Sequence, residues 1–580
     1  MLAACTPALA HAGGFEIPDT GARSVGRGGA MAAGVEDLTA LHYNPAALAK
    51  QRGTTFLYNH NLAFHRASFE RAPLSSEVWG VDRSFARVED RKKVFPLGLF
   101  AVVASDFGLK NWTFAAGIYG PSAVGKHEYP AYGPQSFQLT RMDILLAYYN
   151  LAAAWKWRDV FGIGVTVQWV DLVQMRYALV VDSAAVANLH ADPDANSTQL
   201  ETELRLKDHT AATALVGLWG KPHRRVELGL SSRVIPVFLK AKGGVAVDKP
   251  TLVTRDIAVK MPLVLPATLR AGIRYVHDVG EGAARRRWFD LELDAVYENW
   301  SSIKAFELDF DGAISGQELT DLRIDKRWRD TVSVRLGSDI YALPPYLTVR
   351  LGGLYESPTQ TNAYTHLDFP AFARGGFGAG LSAGAKGVYA TVGYMHIVQQ
   401  TRVISESAAK VFQQRPLAPC PAECGGLSGV PANAGRFRSS FDMLNLGIEF
   451  RFAELLAGRK RKRDAAAGNR APAVAAPRDR QRRRVPAPST QAEDRAGNPA
   501  AVQGAGAATA PDPAVGEDGT DVGESPAGAP QDPAAPATEP DAPPTRTTDS
   551  SRSGHRTEGA LGIPNRTIGD VTALSRNRSL

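Results

Sequence analysis

The sequence predicts an all-β transmembrane barrel of about 14 antiparallel strands, and three observations carry that prediction. Strand-like runs alternate apolar and polar residues with period two. The links between runs alternate between short and long. No stretch approaches the ~18 continuous apolar residues of a membrane-spanning helix, so any crossing must be made by strands.

The first run begins at about Thr54 with "TTFLYNHNLAFHR". Others follow near 94–104, 111–120, 145–157, 161–173, 211–220, 224–239, 254–277, 286–309, 329–341, 346–357, 374–384, 387–400 and 438–452. Short links include "WRDV", "GKPHRR", "YALPP" and "SAGAKG". Long ones cover about 66–94, 121–144, 173–211, 309–329, 357–374 and 399–438. Bacterial outer-membrane barrels show this asymmetry, with short periplasmic turns and long extracellular loops. A soluble sandwich has no reason to sort its loops.

The faces agree. Leu269, Ala271, Ile273 and Tyr275 oppose Thr268, Arg270, Gly272 and Arg274. Phe289, Leu291, Leu293, Ala295 and Tyr297 oppose Asp290, Glu292, Asp294 and Glu298. Val332, Val334 and Leu336 oppose Thr331, Ser333, Arg335 and Gly337. Leu347, Val349, Leu351 and Tyr355 oppose Thr348, Arg350 and Gly352. In a closed barrel lipid covers the apolar face, and closure satisfies every backbone group. The last run, "SFDMLNLGIEFRF", ends on the aromatics Phe450 and Phe452.

The ends differ from the body. Residues 1–12 read as a partial signal peptide, with Ala10-His11-Ala12 fitting a small-x-small cleavage site. "LAAC" at 2–5 also resembles a lipoprotein box. Residues 453–580 are rich in Ala, Pro and Arg and lose the aromatics, which predicts a disordered tail. The formal net charge is only +7 and comes partly from that tail, so it points to no nucleic acid. Cys420 and Cys424 form one tight pair, a candidate disulfide in an exported protein. No zinc-ligand spacing appears, and no metal or other cofactor is expected.

Two motifs look chemical and are not. Gly380-Leu381-Ser382-Ala383-Gly384 matches a nucleophile elbow, but another strand follows where a helix is required, so Ser382 is expected in a hairpin turn. "GRGGA" lacks the Lys-Ser/Thr of a phosphate loop. No enzyme activity is expected.

The segment "GGFEIPDTGARSVGRGGAMAAGVEDLTALHYNPAALA", followed by "NLAAAWKWRDVFGIGVTVQW", "LPATLRAGIRY", "ENWSSIKAFEL", "WRDTVSVRLG" and "LTVRLGGLYESP", resembles the outer-membrane long-chain fatty-acid transporter family. That family also includes importers of aromatic hydrocarbons. The resemblance spans about residues 13–452. It implies a small N-terminal helical plug, residues 13–53, in the lumen of a barrel at 54–452. Asn44, Pro45 and Ala46 match the plug motif.

The resemblance also implies passive import of a hydrophobic small molecule, most often a long-chain fatty acid. It would bind in the plugged barrel and leave sideways into the membrane. Gly13-Gly14-Phe15 matches the family's start, making Phe15 a candidate ligand contact. Arg270, Arg274, Arg335 and Arg350 are further candidates, because a guanidinium fork suits a carboxylate. Lumenal carboxylates on the adjoining strand could instead pair with them. Gly120 and Pro121 end the third run and are the candidate kink for a lateral opening, since proline removes a ladder donor. "AVGKHEYPAYGPQSF" is the candidate outer groove. The expected setting is the outer membrane of a Gram-negative bacterium. Expected partners are outer-membrane lipid, lipopolysaccharide and the barrel-assembly machinery, with the protein a monomer and both its ends periplasmic. The alternatives are an aromatic-hydrocarbon importer, or a structural or surface-binding barrel with a periplasmic interaction tail.

Overall fold

The computed structural model describes residue 17 and residues 20–79, 82–120, 126–182, 199–247, 257–314, 317–414 and 427–457. The first 16 residues, Pro121, both C-terminal cysteines and the tail beyond 457 lie outside this set.

Fourteen strands form the wall. They are β1 (Thr54–Arg71), β2 (Val94–Ser105), β3 (Trp112–Tyr119), β4 (Arg141–Trp157), β5 (Phe161–Asp182), β6 (Gln199–His223) and β7 (Val226–Arg233). The circuit continues through β8 (Thr268–Val279), β9 (Arg286–Glu298), β10 (Thr331–Leu343), β11 (Leu347–Glu356), β12 (Arg374–Ala385), β13 (Val388–Gln399) and β14 (Gly435–Arg451). Each pairs antiparallel with the next in this order. β1 then pairs with β14, from Thr55 opposite Arg451 to Arg71 opposite Gly435, and the cylinder closes. Closure leaves the wall without the free edges of an open sheet.

Links at one end are short, and local chemistry explains two of them. Arg158 and Asp159 both have positive φ (51° and 55°), as do Lys386 and Gly387 (56° and 86°). Two consecutive left-handed residues are the signature of the type I′ turns that match strand twist. Ser382 therefore lies inside β12 and not in the hairpin turn, which is formed by Lys386 and Gly387. The long links all lie at the other end. Thr54 and Arg451, where the wall begins and ends, lie at the short-turn end.

Three expected runs prove to be two strands each. Beyond β7 a separate strand, Val237–Val247, starts after Pro236. Ala258–Leu265 is cut from β8 by Pro266. Ala305–Asp311 is cut from β9 by a 3₁₀ turn at Trp300–Ser302. The expected long loop 173–211 is mostly strand, because β5 and β6 run on as a pair to Asp182 opposite Gln199. The extra strands add to β6 in the order 237–247, 258–265, 305–311 and Leu322–Asp325. Together they extend the sheet past the long-loop rim. Leu179, Leu200, Leu204, Val245, Phe310 and Leu322 line an apolar pocket there.

The outward face is apolar as expected. Leu269, Ile273, Leu291, Leu293, Val332, Val334 and Leu336 are exposed, while Arg270, Arg274, Asp290, Glu292 and Arg335 are buried. Leu293 sits between the outward aromatics Trp288 and Tyr297 on the same strand. Leu293→Lys should therefore destabilise the barrel by about 2–4 kcal/mol. Leu293→Ala should cost less, as read by urea unfolding in lipid vesicles.

Candidate functional site

Residues 20–50 fill the lumen and are almost wholly buried. They are only partly helical: α1 (Ala22–Gly26), α2 (Ala40–Tyr43) and a 3₁₀ stretch, Pro45–Lys50. Runs of small residues explain this, since Gly and Ala let the backbone lie flat against the wall. The wall answers with its own glycines. A Cβ on Gly229 would stand 2.0 Å from the Ala32 carbonyl oxygen, and one on Gly352 would stand 2.0 Å from the Arg27 carbonyl carbon. On Gly378 or Gly393 it would stand 2.2 Å from the carbonyl oxygen of Val25 or Ala22.

Asn44, Pro45 and Ala46 dock the same way. Asn44 Nδ2 donates to the carbonyls of Ala32 (2.8 Å) and Leu218 (3.0 Å), and Asn44 Oδ1 accepts from the Ala46 amide at 3.2 Å. One side-chain amide thus ties two parts of the plug to β6. Gly164 and Gly217 make room for it. A Cβ there would stand 2.3 Å from the Pro45 carbonyl carbon or 2.2 Å from Asn44 Oδ1.

A charged lock holds the first half of the plug against β7–β11. Arg27 Nη1 donates to Asp290 and Asp339, both at 2.8 Å, Nη2 donates to Glu292 at 2.6 Å, and Nε donates to the Ala30 carbonyl at 3.0 Å. Arg23 reaches Asp339 at 2.8 Å. Glu36 accepts from Arg274 and Arg287, each at 2.6 Å. Burial alone would push the Glu36 carboxyl up. Arg274, Arg287 and Arg23 outweigh it and hold the group well below the usual carboxylate range. Backbone amides join in. Met31 and Ala32 donate to Asp294 at 2.6 and 2.8 Å, and Ala33 and Gly34 to Glu292 at 2.7 and 2.8 Å.

The opposite side of the lumen is aromatic. His42 Nδ1 lies 2.9 Å from Tyr119 Oη, at the very end of β3. The Tyr119 ring stacks on Tyr148 at 4.9 Å and lies 5.7 Å from Phe100. Gln168 Nε2 donates to Tyr119 Oη (2.7 Å) and to Asn150 Oδ1 (2.6 Å). β3 has only eight residues, against 17 in β4. β4 pairs with β3 over 148–155 and with the short strand Lys126–Glu128 over 141–143. Among the described residues, 144–147 of β4 have no strand partner on that side. Outside the wall here, Ala101, Val103, Ala116, Ile118, Leu151 and Trp169 line an open apolar hollow of about 570 Å³.

The family model described as outer membrane protein transport protein (OMPP1/FadL/TodX) matches residues 3–422. The chain belongs to that family. It is thus an outer-membrane transport protein, of a family of channels and not of enzymes. Solved relatives share its fold. A FadL homologue from Pseudomonas aeruginosa is 16% identical, with a TM-score of 0.59 over 76% of this chain and 99% of that one. The toluene transporter TodX of P. putida is 14% identical, with a TM-score of 0.52 over 75% and 98%. TbuX, the toluene transporter of Ralstonia pickettii, is 13% identical, with a TM-score of 0.51 over 75% and 98%. No curated protein matches the chain.

Within this FadL/TodX-family barrel the candidate arginines are engaged with protein groups. Arg274 pairs with Asp290 and Glu36, and reaches Glu227 at 3.3 Å. Arg350 stands 3.1 Å from Asp339 and donates to Ser382. Arg335 donates to Ser333 at 3.0 Å and stands 3.7 Å from Glu356. Arg270 lies over the Tyr43 ring at 5.9 Å. Gly120 donates its amide to the Leu99 carbonyl at 3.2 Å. Phe15, Pro121, Cys420 and Cys424 lie outside the described residues. Residues 126–137 of the candidate groove segment are described, and Tyr129 and Phe137 among them are buried. Sequence reading missed Arg23, Arg27, Glu36, His42 and Tyr119. The one available signal was two arginines four residues apart in a stretch of otherwise small residues.

Two outcomes follow from this geometry. Arg27→Ala removes the cation that three buried carboxylates share and should weaken plug docking by about 3–5 kcal/mol. The measure is protease cleavage within residues 20–50 while the barrel still migrates as folded on an unheated gel. Gly217→Val overpacks the Asn44 seat and should cost about 1–3 kcal/mol, read as increased cell permeability to a large antibiotic.

Proposed function

We propose that the protein imports hydrophobic small molecules, most often long-chain fatty acids, across the outer membrane without an energy source. It releases them sideways into the bilayer beside β3. The observation that carries this reading is the contact at the end of β3, where Tyr119 meets His42 of the plug from within and an open apolar hollow lies outside the wall.

The path has a physical logic. One contiguous apolar cluster includes Leu179, Leu200 and Leu308 at the long-loop end, Leu172, Met175 and Tyr177 below them, and Leu41, Phe100 and Tyr119 at the plug. A hydrocarbon chain following it stays out of water, which is where its transfer cost lies. At Tyr119 it meets the end of the eight-residue β3, beside the outer apolar hollow. Gly120 and Pro121 are the proposed hinge. His42 makes the opening respond to the plug, because displacing α2 removes its contact to Tyr119. With Thr54 and Arg451 at the short-turn end, the tail that follows the last strand is assigned to the periplasm, whereas Ile17 packs inside the barrel with Leu354, Met395 and Phe441. The barrel-assembly machinery inserts the chain, which works as a monomer among outer-membrane lipid and lipopolysaccharide.

Near the rim, Lys326 pairs with Asp368, which also accepts from Tyr177 at 3.2 Å and lies 3.0 Å from His366. Burial alone would push the Asp368 carboxyl up, but His366 and Lys326 hold it below its usual range. These groups fix the loops that roof the apolar track.

Labelled oleate and labelled toluene, offered in parallel to cells lacking their own transporter, test the reading. Oleate uptake should be restored by the full chain and by a chain ending at residue 457. Preferential toluene uptake would identify the aromatic-hydrocarbon alternative. Uptake of neither, with folded barrel at the cell surface, overturns import. Ala116→Trp fills the outer hollow and should slow uptake several-fold without altering folding or plug protection.

A further inference from the structure

Away from the lumen lock, the fold gathers three metal-binding side chains from distant parts of the chain: His65, Asp90 and His127. His65 lies on β1, Asp90 just past the short strand Val88–Glu89, and His127 in the short strand Lys126–Glu128. Their exposures are 0%, 1% and 5%. One donor atom from each lies within 4.8 Å of the others. Asp90 Oδ2 stands 2.6 Å from His127 Nδ1 and 3.7 Å from His65 Nδ1.

The surroundings hold these groups in place. His65 Nε2 is hydrogen-bonded to Ser439 Oγ at 2.8 Å, and its ring stacks on Phe441 at 4.2 Å, so Nδ1 faces Asp90. Asp90 Oδ1 accepts from the amides of Lys92 (2.9 Å) and Glu128 (3.0 Å), which turns Oδ2 toward both imidazoles. Ligating histidines and carboxylates are oriented by such outer hydrogen bonds.

We propose that His65, Asp90 and His127 form a binding site for a divalent transition cation of the zinc class, with the two Nδ1 atoms and Asp90 Oδ2 as ligands. Imidazole suits zinc, nickel and cobalt. Two histidines and a carboxylate make a three-ligand set that leaves a fourth position for water. Bonds of ~2.0–2.1 Å in a tetrahedron place donors about 3.3 Å apart. The two Asp90–imidazole distances, 2.6 and 3.7 Å, bracket that spacing, and the two histidine donors lie within 4.8 Å of each other. Side-chain shifts of about an ångström therefore seat the ion, which takes the Nδ1 lone pair in place of the His127–Asp90 hydrogen bond, with the ring proton of His127 on Nε2.

The position gives the site a purpose. Val88–Glu89 pairs with β1 at Phe69 and Ser68, and Lys126–Glu128 pairs with β4. The Arg91 amide donates to the Glu128 carbonyl at 2.8 Å. The cation cross-links the segments that close the wall beyond the end of β3.

The test uses the full chain folded in detergent, stripped with chelator and then dialysed against zinc. Metal analysis should find one zinc more per chain than in Asp90→Asn, and zinc should raise the thermal unfolding midpoint of the native chain only. Gel mobility without heating verifies folding. A folded native chain holding no more zinc than folded Asp90→Asn, or one whose unfolding ignores zinc, overturns the site. Should Asp90→Asn not fold, His127→Gln takes its place. Cobalt in the native chain then gives a second readout, and absence of the visible band of a low-coordinate cobalt site overturns the proposal.

Discussion

The structure depends on the burial of one cation. Arg27 is fully inside the barrel, where a lone guanidinium would be prohibitively costly. Asp290, Glu292 and Asp339, from two neighbouring strands, surround it. The dependence is mutual. Without the plug, the wall would hold an acidic band countered by its own arginines, Arg274 at Asp290 and Arg350 at Asp339. Buried ion pairs add little net stability over apolar packing, but they tolerate few alternative arrangements. The lock therefore fixes where the plug sits more than how strongly the barrel holds together. Close approach makes it possible, since wall glycines bring the plug backbone within reach of Glu292 and Asp294.

The wall was legible in the sequence because every strand reports itself locally. Val332, Ser333, Val334 and Arg335 alternate whatever their neighbours do, and about fourteen such runs predict the fourteen strands observed. Errors arose where a run continued past the membrane. Pro236 and Pro266 mark those breaks, but the apolar pattern carries through them, because the rim extension also buries one face.

The lock was not legible, because it is a property of closure. Arg27 meets Asp290 across 263 positions, and nothing near either residue names the other. The same limit applies to Arg274 and Arg350. Their face follows from alternation, while their partners depend on the plug's placement. Glycines at 272, 337 and 352 were assigned to the inner face, yet the close contact each one permits appears only with Ala32 or Arg27 beside it. The His65–Asp90–His127 group escaped for the same reason, since metal-ligand spacing in sequence finds only ligands that one short segment supplies.

The two sides of the lumen hold the plug by different physics, and this asymmetry makes transport intelligible. On the β7–β11 side, charge-assisted hydrogen bonds set a discrete geometry that degrades sharply with small displacement. On the β2–β5 side, aromatic contacts and the His42–Tyr119 hydrogen bond tolerate sliding and repacking. In the proposed import, a plug held in this way would yield on its aromatic side, beside the outer apolar hollow. A hydrophobic cargo has no reason to cross the charged side, and its own apolar surface can replace the ring contacts it displaces. The seal against water then stays on one side while the other admits a molecule that needs no water. That separation is what a barrel must achieve to pass hydrocarbon without leaking solutes.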